Sequence, residues 1–276
     1  MSKVIYEMIT NQIIEKLEQG VVPWHDTENI GKAVNWKTQK AYRGSNAFLI
    51  PDGEYVTRKQ LAEAGGKLIK GEKYTPVIFW KLHTIEDQES GKEKSIPIIR
   101  FYQVYNIHQC TGIESKRGNQ ECADDDSIQL AEELIEKYSD MPKIVEDIDR
   151  TYYDPETDTI HIPSASRFAE IEQYYVHLFH ELAHSTGHHK RLDRKGITDE
   201  LVAYGDESYS REELIAELAT AMLCGLCGMS NATIDTSATY IDEWIKKLKE
   251  DPKLIATAGA QAQKVCDYIQ GITFTD

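Results

Sequence analysis

The chain has 276 residues, 41% of them hydrophobic and 28% charged, enough to bury one large core or two modest ones. Its formal charge of −15 is unevenly spread: residues 1–122 carry 17 basic and 15 acidic side chains, whereas residues 123–276 carry 14 and 31. No apolar run approaches the ~18 residues of a membrane span, the first 20 residues lack a signal-peptide core, and five cysteines in a chain this long do not suggest a disulfide framework, so a cytoplasmic protein with no membrane partner is expected.

Val4, Ile5, Met8, Ile9, Ile13 and Leu17 recur at helical spacing with Gly20 as a stop, which predicts an amphipathic helix over Lys3–Gln19. Beyond it, Trp24 and then Asn35, Trp36, Lys40, Tyr42, Arg43 and Asn46 interleave aromatic rings with cations and amides. Rings stack unpaired bases while cations follow phosphates, so these residues, with Lys70 and Lys73 of a basic turn, are candidates for contact with single-stranded DNA. In the opposite reading the rings are core and the charges are solvated surface. Any nucleic-acid affinity belongs in this part of the chain, because the acidic remainder repels polyphosphate.

Thr57–Ala64 is expected as a short helix. A β-rich run up to Leu82 and a second over Ile96–Tyr105 read as partner strands about a charged tip at Glu86–Lys94, with Ile98, Arg100, Tyr102 and Val104 on one face. Thr111–Ser127 is polar and aperiodic and reads as a linker, which gives two predicted domains, 1–122 and 123–276. Ile128–Tyr138 is the next predicted helix, Lys143–Val145 a short strand, and Tyr152–Pro163 a strand, turn and strand that offers an edge to an extended peptide.

Ile171, Tyr175, Leu178 and Leu182 then form the apolar stripe of a helix that contains His180-Glu181-Leu182-Ala183-His184. His180 and His184 are four apart and point the same way, so two neutral imidazoles can share one Zn²⁺, while Glu181, about 100° round the helix from His180, is poised as a general base toward a water activated by the ion. A third ligand has two sources. The pattern continues through Gly187, but the position of a third histidine holds Lys190, and His188 and His189 fall short of it. Downstream, Glu213 and Glu217 lie four apart on a second apolar helix. Their form E-x-x-A-E resembles the E-x-x-x-D of glutamate-zincins, and that resemblance implies Glu213 as the ligand and Glu217 as the group that orients a histidine. Against it, Ser210 with Glu213 also matches a capping box, which would leave the ligand role to Glu217. Tyr204, Tyr209 and His188 are candidate donors to a developing oxyanion. Cys224-Gly225-Leu226-Cys227 is a lone C-x-x-C on an apolar helix and is read as buried thiols. The stretches Tyr240–Leu248 and Leu254–Ile269 are predicted closing helices.

Taken together, the chain resembles the antirestriction ArdC family. Leu17-Glu18-Gln19-Gly20, Pro23-Trp24, Asn35 with Tyr42-Arg43-Gly44-Ser45-Asn46, Lys70-Gly71-Glu72-Lys73 and Tyr102-Gln103-Val104-Tyr105-Asn106 are similar to its N-terminal domain. His180 to His188 with Arg191-Leu192, Arg211 to Glu217, and Tyr240-Ile241-Asp242-Glu243-Trp244 are similar to its zincin-like metallopeptidase partner. The resemblance implies an α+β fold: a small α+β domain that binds single-stranded DNA, followed by a mainly helical zincin-like domain with a small sheet. It also implies protection of incoming mobile-element DNA from restriction.

Three readings follow. In the first, Zn²⁺ or another divalent metal such as Mn²⁺ on His180, His184 and Glu213 serves peptide hydrolysis, with Glu181 as the base and an unidentified protein or peptide as substrate. In the second, the metal site is structural or vestigial and protection comes from coating single strands. In the third, the acidic C-terminal half mimics DNA and occupies a restriction enzyme.

Overall fold

Helix α1 (Ser2–Glu18) carries Ile5, Ile9, Ile13 and Leu17 on one stripe, each 4% exposed or less, as the spacing predicted, whereas Val4, expected with them, lies off the stripe at 66% exposure. The computed structural model describes residues 2–27, 29–86, 93–117, 126–147, 149–198, 207–229 and 238–272. Residues 87–92 of the expected hairpin tip and 118–125 of the expected linker fall outside these.

After α1 come β1 (Val34–Asn35), α2 (Asn46–Leu49), β2 (Glu54–Thr57), α3 (Arg58–Glu63), β3 (Lys67–Leu68), β4 (Thr75–Glu86), β5 (Glu93–Asn106) and β6 (Cys110–Thr111). Helix α3 starts where Thr57 and Gln60 close a capping box. One sheet has the order β1-β2-β5-β4, with β1 parallel to β2 and β5 antiparallel to both its neighbours. Strands β3 and β6 form a separate antiparallel pair. Along β4 and β5, Val77 faces Tyr102, Phe79 faces Arg100 and Lys81 faces Ile98, so all six share one side of the sheet.

The second half runs α4 (Ser127–Glu136), β7 (Lys143–Glu146), β8 (Tyr152–Asp154), β9 (Thr159–Ile162), α5 (Ile171–Ser185), α6 (Lys195–Thr198), α7 (Glu207–Cys227), α8 (Ala238–Glu250) and α9 (Leu254–Ile269). Asp126 caps α4 by accepting from the amides of Ile128 and Gln129. The three strands are ordered β7-β9-β8. Arg191 fastens this sheet to the end of α5: it donates to both oxygens of Asp158 (2.8 and 3.0 Å), to the Ser185 carbonyl (3.0 Å) and to the Asp140 carbonyl (2.9 Å).

The apolar core runs across the boundary drawn at residues 122 and 123. Ile9 and Ile13 of α1, Trp24, and Ile78 and Ile99 of the sheet belong to one buried cluster with Phe179, Leu214, Leu248 and Val265. Polar contacts cross the same boundary. Arg43 grips Asp267 with both bonds near 2.5 Å, the Thr27 hydroxyl donates to the Met229 carbonyl at 2.6 Å, and Thr10 donates to the Pro252 carbonyl at 2.7 Å. Among the described residues, no helix is long and apolar enough to cross a membrane.

Candidate metal centre

Helices α5 and α7 pack together and bring three ligand-type side chains to one point. His180 and His184, one turn apart on α5, place their Nε2 atoms 3.0 Å from each other. The two carboxylate oxygens of Glu213, on α7, lie 3.5 Å from His180 Nε2 and 3.5 Å from His184 Nε2 respectively. Among the described residues this is the group whose donor atoms converge closely enough to hold a metal ion. Ligand atoms held ~2.05 Å from a tetrahedral centre lie about 3.3 Å apart, so the observed separations suit one ion. At 3.0 Å two unprotonated imidazole nitrogens would also set lone pair against lone pair, and the arrangement calls for a shared proton or cation. Glu181 is buried beside its two histidine neighbours at 7% exposure.

The capping-box alternative for Glu213 does not hold, because α7 begins at Glu207 and Ser210 lies inside the helix. The three-histidine alternative also fails: His188 is buried away from the cluster, where its Nδ1 accepts from the Lys190 amide. Gly187 serves a different purpose. A Cβ there would come within 2.6 Å of Ile197 Cγ1 and 3.0 Å of an Arg194 nitrogen, so the glycine makes room for the chain that returns past the end of α5. Tyr204 and the side chain of Tyr209 lie outside the described residues.

That returning chain supplies what the sequence reading missed. Arg194 is 8% exposed and donates through Nε and Nη2 to both oxygens of Glu212, through Nη1 to Thr186 Oγ1 and through Nη2 to the Ala183 carbonyl. Glu212, 3% exposed, in turn sits 3.5 Å from His184 Nδ1, a contact between charges and not a hydrogen bond, since that buried nitrogen has no hydrogen-bond partner among the described residues. A carboxylate in that position orients the ring toward the ligand point. Burial acts to lower the His184 pKa, but the adjacent carboxylate of Glu212 and the charges of Glu213 and Glu181 outweigh it and carry it up to about 9.

Glu217 lies one turn beyond Glu213, and its hydrogen bonds go elsewhere than to a histidine. Trp24 Nε1 donates to Oε2 at 2.9 Å, and the Tyr240 hydroxyl donates to the same oxygen. Burial pushes its carboxyl up to about 7 against the pull of Tyr240, His180 and Trp24. Cys224 and Cys227 are buried in α7 with thiols raised chiefly by that burial.

The nucleic-acid candidates separate on inspection. Trp24 is fully buried and Asn46 is 6% exposed with its amide bonded to both backbone groups of Ile78, so neither can meet a base. Arg43 is held by Asp267. Asn35 accepts from the amides of Lys37 and Thr38, and Tyr42 packs edge-on against Tyr55, 6.2 Å away, so both build their own loop. Trp36 is half-buried, donates to the Glu114 carbonyl and has the Lys116 ammonium 4.1 Å over its ring. Lys40, Lys70 and Lys73 are exposed. A ring pair that does reach solvent lies on β4 and β5: the half-buried Phe79 stacks on Tyr102 at 4.5 Å and 3°, Tyr102 is 57% exposed, and Lys81 and Arg100 are exposed on the same side of the sheet.

Residues 3–105 match the N-terminal domain of the anti-restriction factor ArdC, and residues 129–261 match a zincin-like metallopeptidase domain. The metal-free crystal structure of the antirestriction ArdC protein from the R388 plasmid is 31% identical and superposes with a TM-score of 0.74, covering 98% of this chain and 99% of that one. The chain belongs to the ArdC antirestriction family. A Mn(II)-bound structure of the same R388 ArdC protein is 32% identical, with a TM-score of 0.75 over 96% of this chain and 97% of that one. An Escherichia coli DNA primase, TraC, is 31% identical across 98% of this chain, but the chain spans only 27% of that relative's length. An uncharacterized Sinorhizobium fredii protein, y4eC, is 29% identical, covering 96% of this chain and 91% of its own. The ArdC family thus joins the two matched regions seen here in one chain.

Proposed function

We propose that this ArdC-family protein is a divalent-metal-dependent peptidase that also binds single-stranded DNA and protects incoming DNA from restriction. The convergence of His180, His184 and Glu213 beside a buried Glu181 carries the first part. These three residues would hold Zn²⁺ or Mn²⁺, which when bound supplies Lewis acidity toward a water and a substrate carbonyl. Glu181 takes the proton of the attacking water and returns it to the departing amine. Glu212, backed by Arg194, keeps His184 turned toward the ligand point, and Glu217, held by Trp24 and Tyr240, braces the face of α7 that carries Glu213. Glu181→Gln is expected to bind Mn²⁺ as the parent does and to lose peptide cleavage in a degenerate peptide library. Undiminished cleavage by that variant would refute the assignment.

The second part is supported by the stacked Phe79 and Tyr102, flanked by Lys81 and Arg100. A stacked ring pair with Tyr102 open to solvent and cations on the same strand face suits unpaired bases and their phosphates, with Lys70 and Lys73 nearby in sequence. Fluorescence anisotropy of the full chain with a labelled single strand and its duplex tests this. A base-stacking ring is worth about 1–3 kcal/mol by alanine substitution, so Tyr102→Ala is expected to weaken single-strand binding about tenfold and leave the metal site intact. Equal affinity for single and double strands, or no effect of Tyr102→Ala, would move the surface elsewhere.

A further inference from the structure

The segment that follows α1 ends inside the other half of the molecule. Trp24 is 0% exposed and sits edge-on to Trp244, with ring centroids 6.3 Å apart at 89°. Its indole N–H points at Glu217 Oε2 (2.9 Å) and lies 3.3 Å from the Tyr240 hydroxyl, which donates to the same Oε2. His25 lies over the Tyr240 ring at 6.1 Å and 26°, and Thr27 anchors the segment to the Met229 carbonyl. Glu217 shares a face of α7 with Glu213, one turn away, and the His180 ring is close enough for its charge to act on the Glu217 carboxyl. A buried carboxylate near a cation site is held in place only by the donors aimed at it. One of the two donors here comes from the N-terminal half.

We propose that Trp24 is a positioning residue of the metal centre: its indole N–H, with the Tyr240 hydroxyl, fixes Glu217 beside His180 and Glu213, so the N-terminal half completes the metal-binding site of the C-terminal half. The proposal rests on the metal-site reading above. It assigns to the two halves a chemical connection as well as a packed one, and it predicts that a change confined to residue 24 is read out in metal affinity. Phenylalanine at this position keeps a ring in the core and deletes only the donor.

The test is isothermal titration of the metal-free full-length protein with Mn²⁺, alongside thermal unfolding without metal. Trp24→Phe is expected to weaken Mn²⁺ about tenfold or more, the range for loss of a supporting carboxylate interaction, with stoichiometry unchanged at one. Glu217→Gln is expected to do the same, and the double variant to be no weaker than the weaker single, because both act through one bond. Ile13→Ala, a core change in α1 away from Glu217, is expected to lower the unfolding temperature and leave the Mn²⁺ Kd alone. Should Trp24→Phe fold poorly, Tyr240→Phe removes the companion donor and carries the same expectation. Unchanged affinity in both donor variants, or additive losses in the double, would overturn the role of Trp24. Failure of the parent itself to bind Mn²⁺, or binding that survives His184→Ala, would overturn the metal site and this proposal with it.

Discussion

Arg194→Met separates two roles of the buried Arg194–Glu212 pair. In the native protein the guanidinium satisfies both Glu212 oxygens, the Thr186 hydroxyl and the Ala183 carbonyl, and both partners are under a tenth exposed. Removing it strands a buried carboxylate, a change that costs about 3–5 kcal/mol. At about 2–4 °C per kcal/mol for a chain of this size, the metal-free protein should unfold about 10 °C lower by calorimetry. Replacing both partners, Arg194→Met with Glu212→Leu, removes the stranded charge and should recover most of that loss. The double variant nevertheless loses the carboxylate at His184 Nδ1, so its metal affinity should remain about 10- to 100-fold weaker than the parent's. Stability and metal affinity recovering together would refute the claim that Glu212 orients His184. A loss under about 1 kcal/mol in the single variant would refute the claim that the pair is desolvated.

Residues 1–122 expressed alone should lack a cooperative unfolding transition, because Ile9, Ile13, Leu17 and Trp24 lose the helices that cover them; circular dichroism against temperature checks this. Gly259→Ala puts a Cβ 2.3 Å from Ser45 Oγ and 2.9 Å from Ser45 backbone atoms, and should destabilise by about 1–3 kcal/mol in urea unfolding. Burial works to raise the Asp158 carboxyl, but the bonds from Arg191 and Tyr153 outweigh it and hold the pKa below the usual carboxylate range. The folded state therefore binds this proton less readily than the unfolded chain. The contribution of Asp158 is full above the unfolded value, about 3.9, and is lost as pH falls through the lower folded value. The stability gap between the parent and Asp158→Asn should accordingly narrow on acidification below pH ~4.

His180, Glu181 and His184 were legible in the sequence because a helix of fixed period carries all three, and its apolar stripe shows which way it faces. Glu213 was legible by spacing, yet Glu212 was not. The two are neighbours about 100° apart on the helix, and which one meets a ligand and which a histidine's far side depends on how α7 lies across α5. Arg194 was invisible for the same reason: its partners come from a helix 18 residues on and from the end of α5. Trp24 shows the limit of composition, since an aromatic among cations and amides reads the same whether its ring is offered to a base or sealed in a core. The alternation of Arg100 and Tyr102 along one strand was plain, but stacking of Tyr102 on Phe79 depends on the register between β4 and β5, which no single strand's sequence fixes.

Helix α1 packs on β5, α8 and α9, the last two of which end the described chain. Of the described helices, the first to be made therefore waits for the last before its stripe is fully covered. At about 5–20 residues per second, the stretch between Glu18 and Leu254 takes roughly 12–47 s to make, and over that interval the stripe of Ile5, Ile9, Ile13 and Leu17 lacks part of its cover. Until α9 emerges part of that apolar stripe faces water, so the speed of translation becomes part of how this molecule reaches its native state.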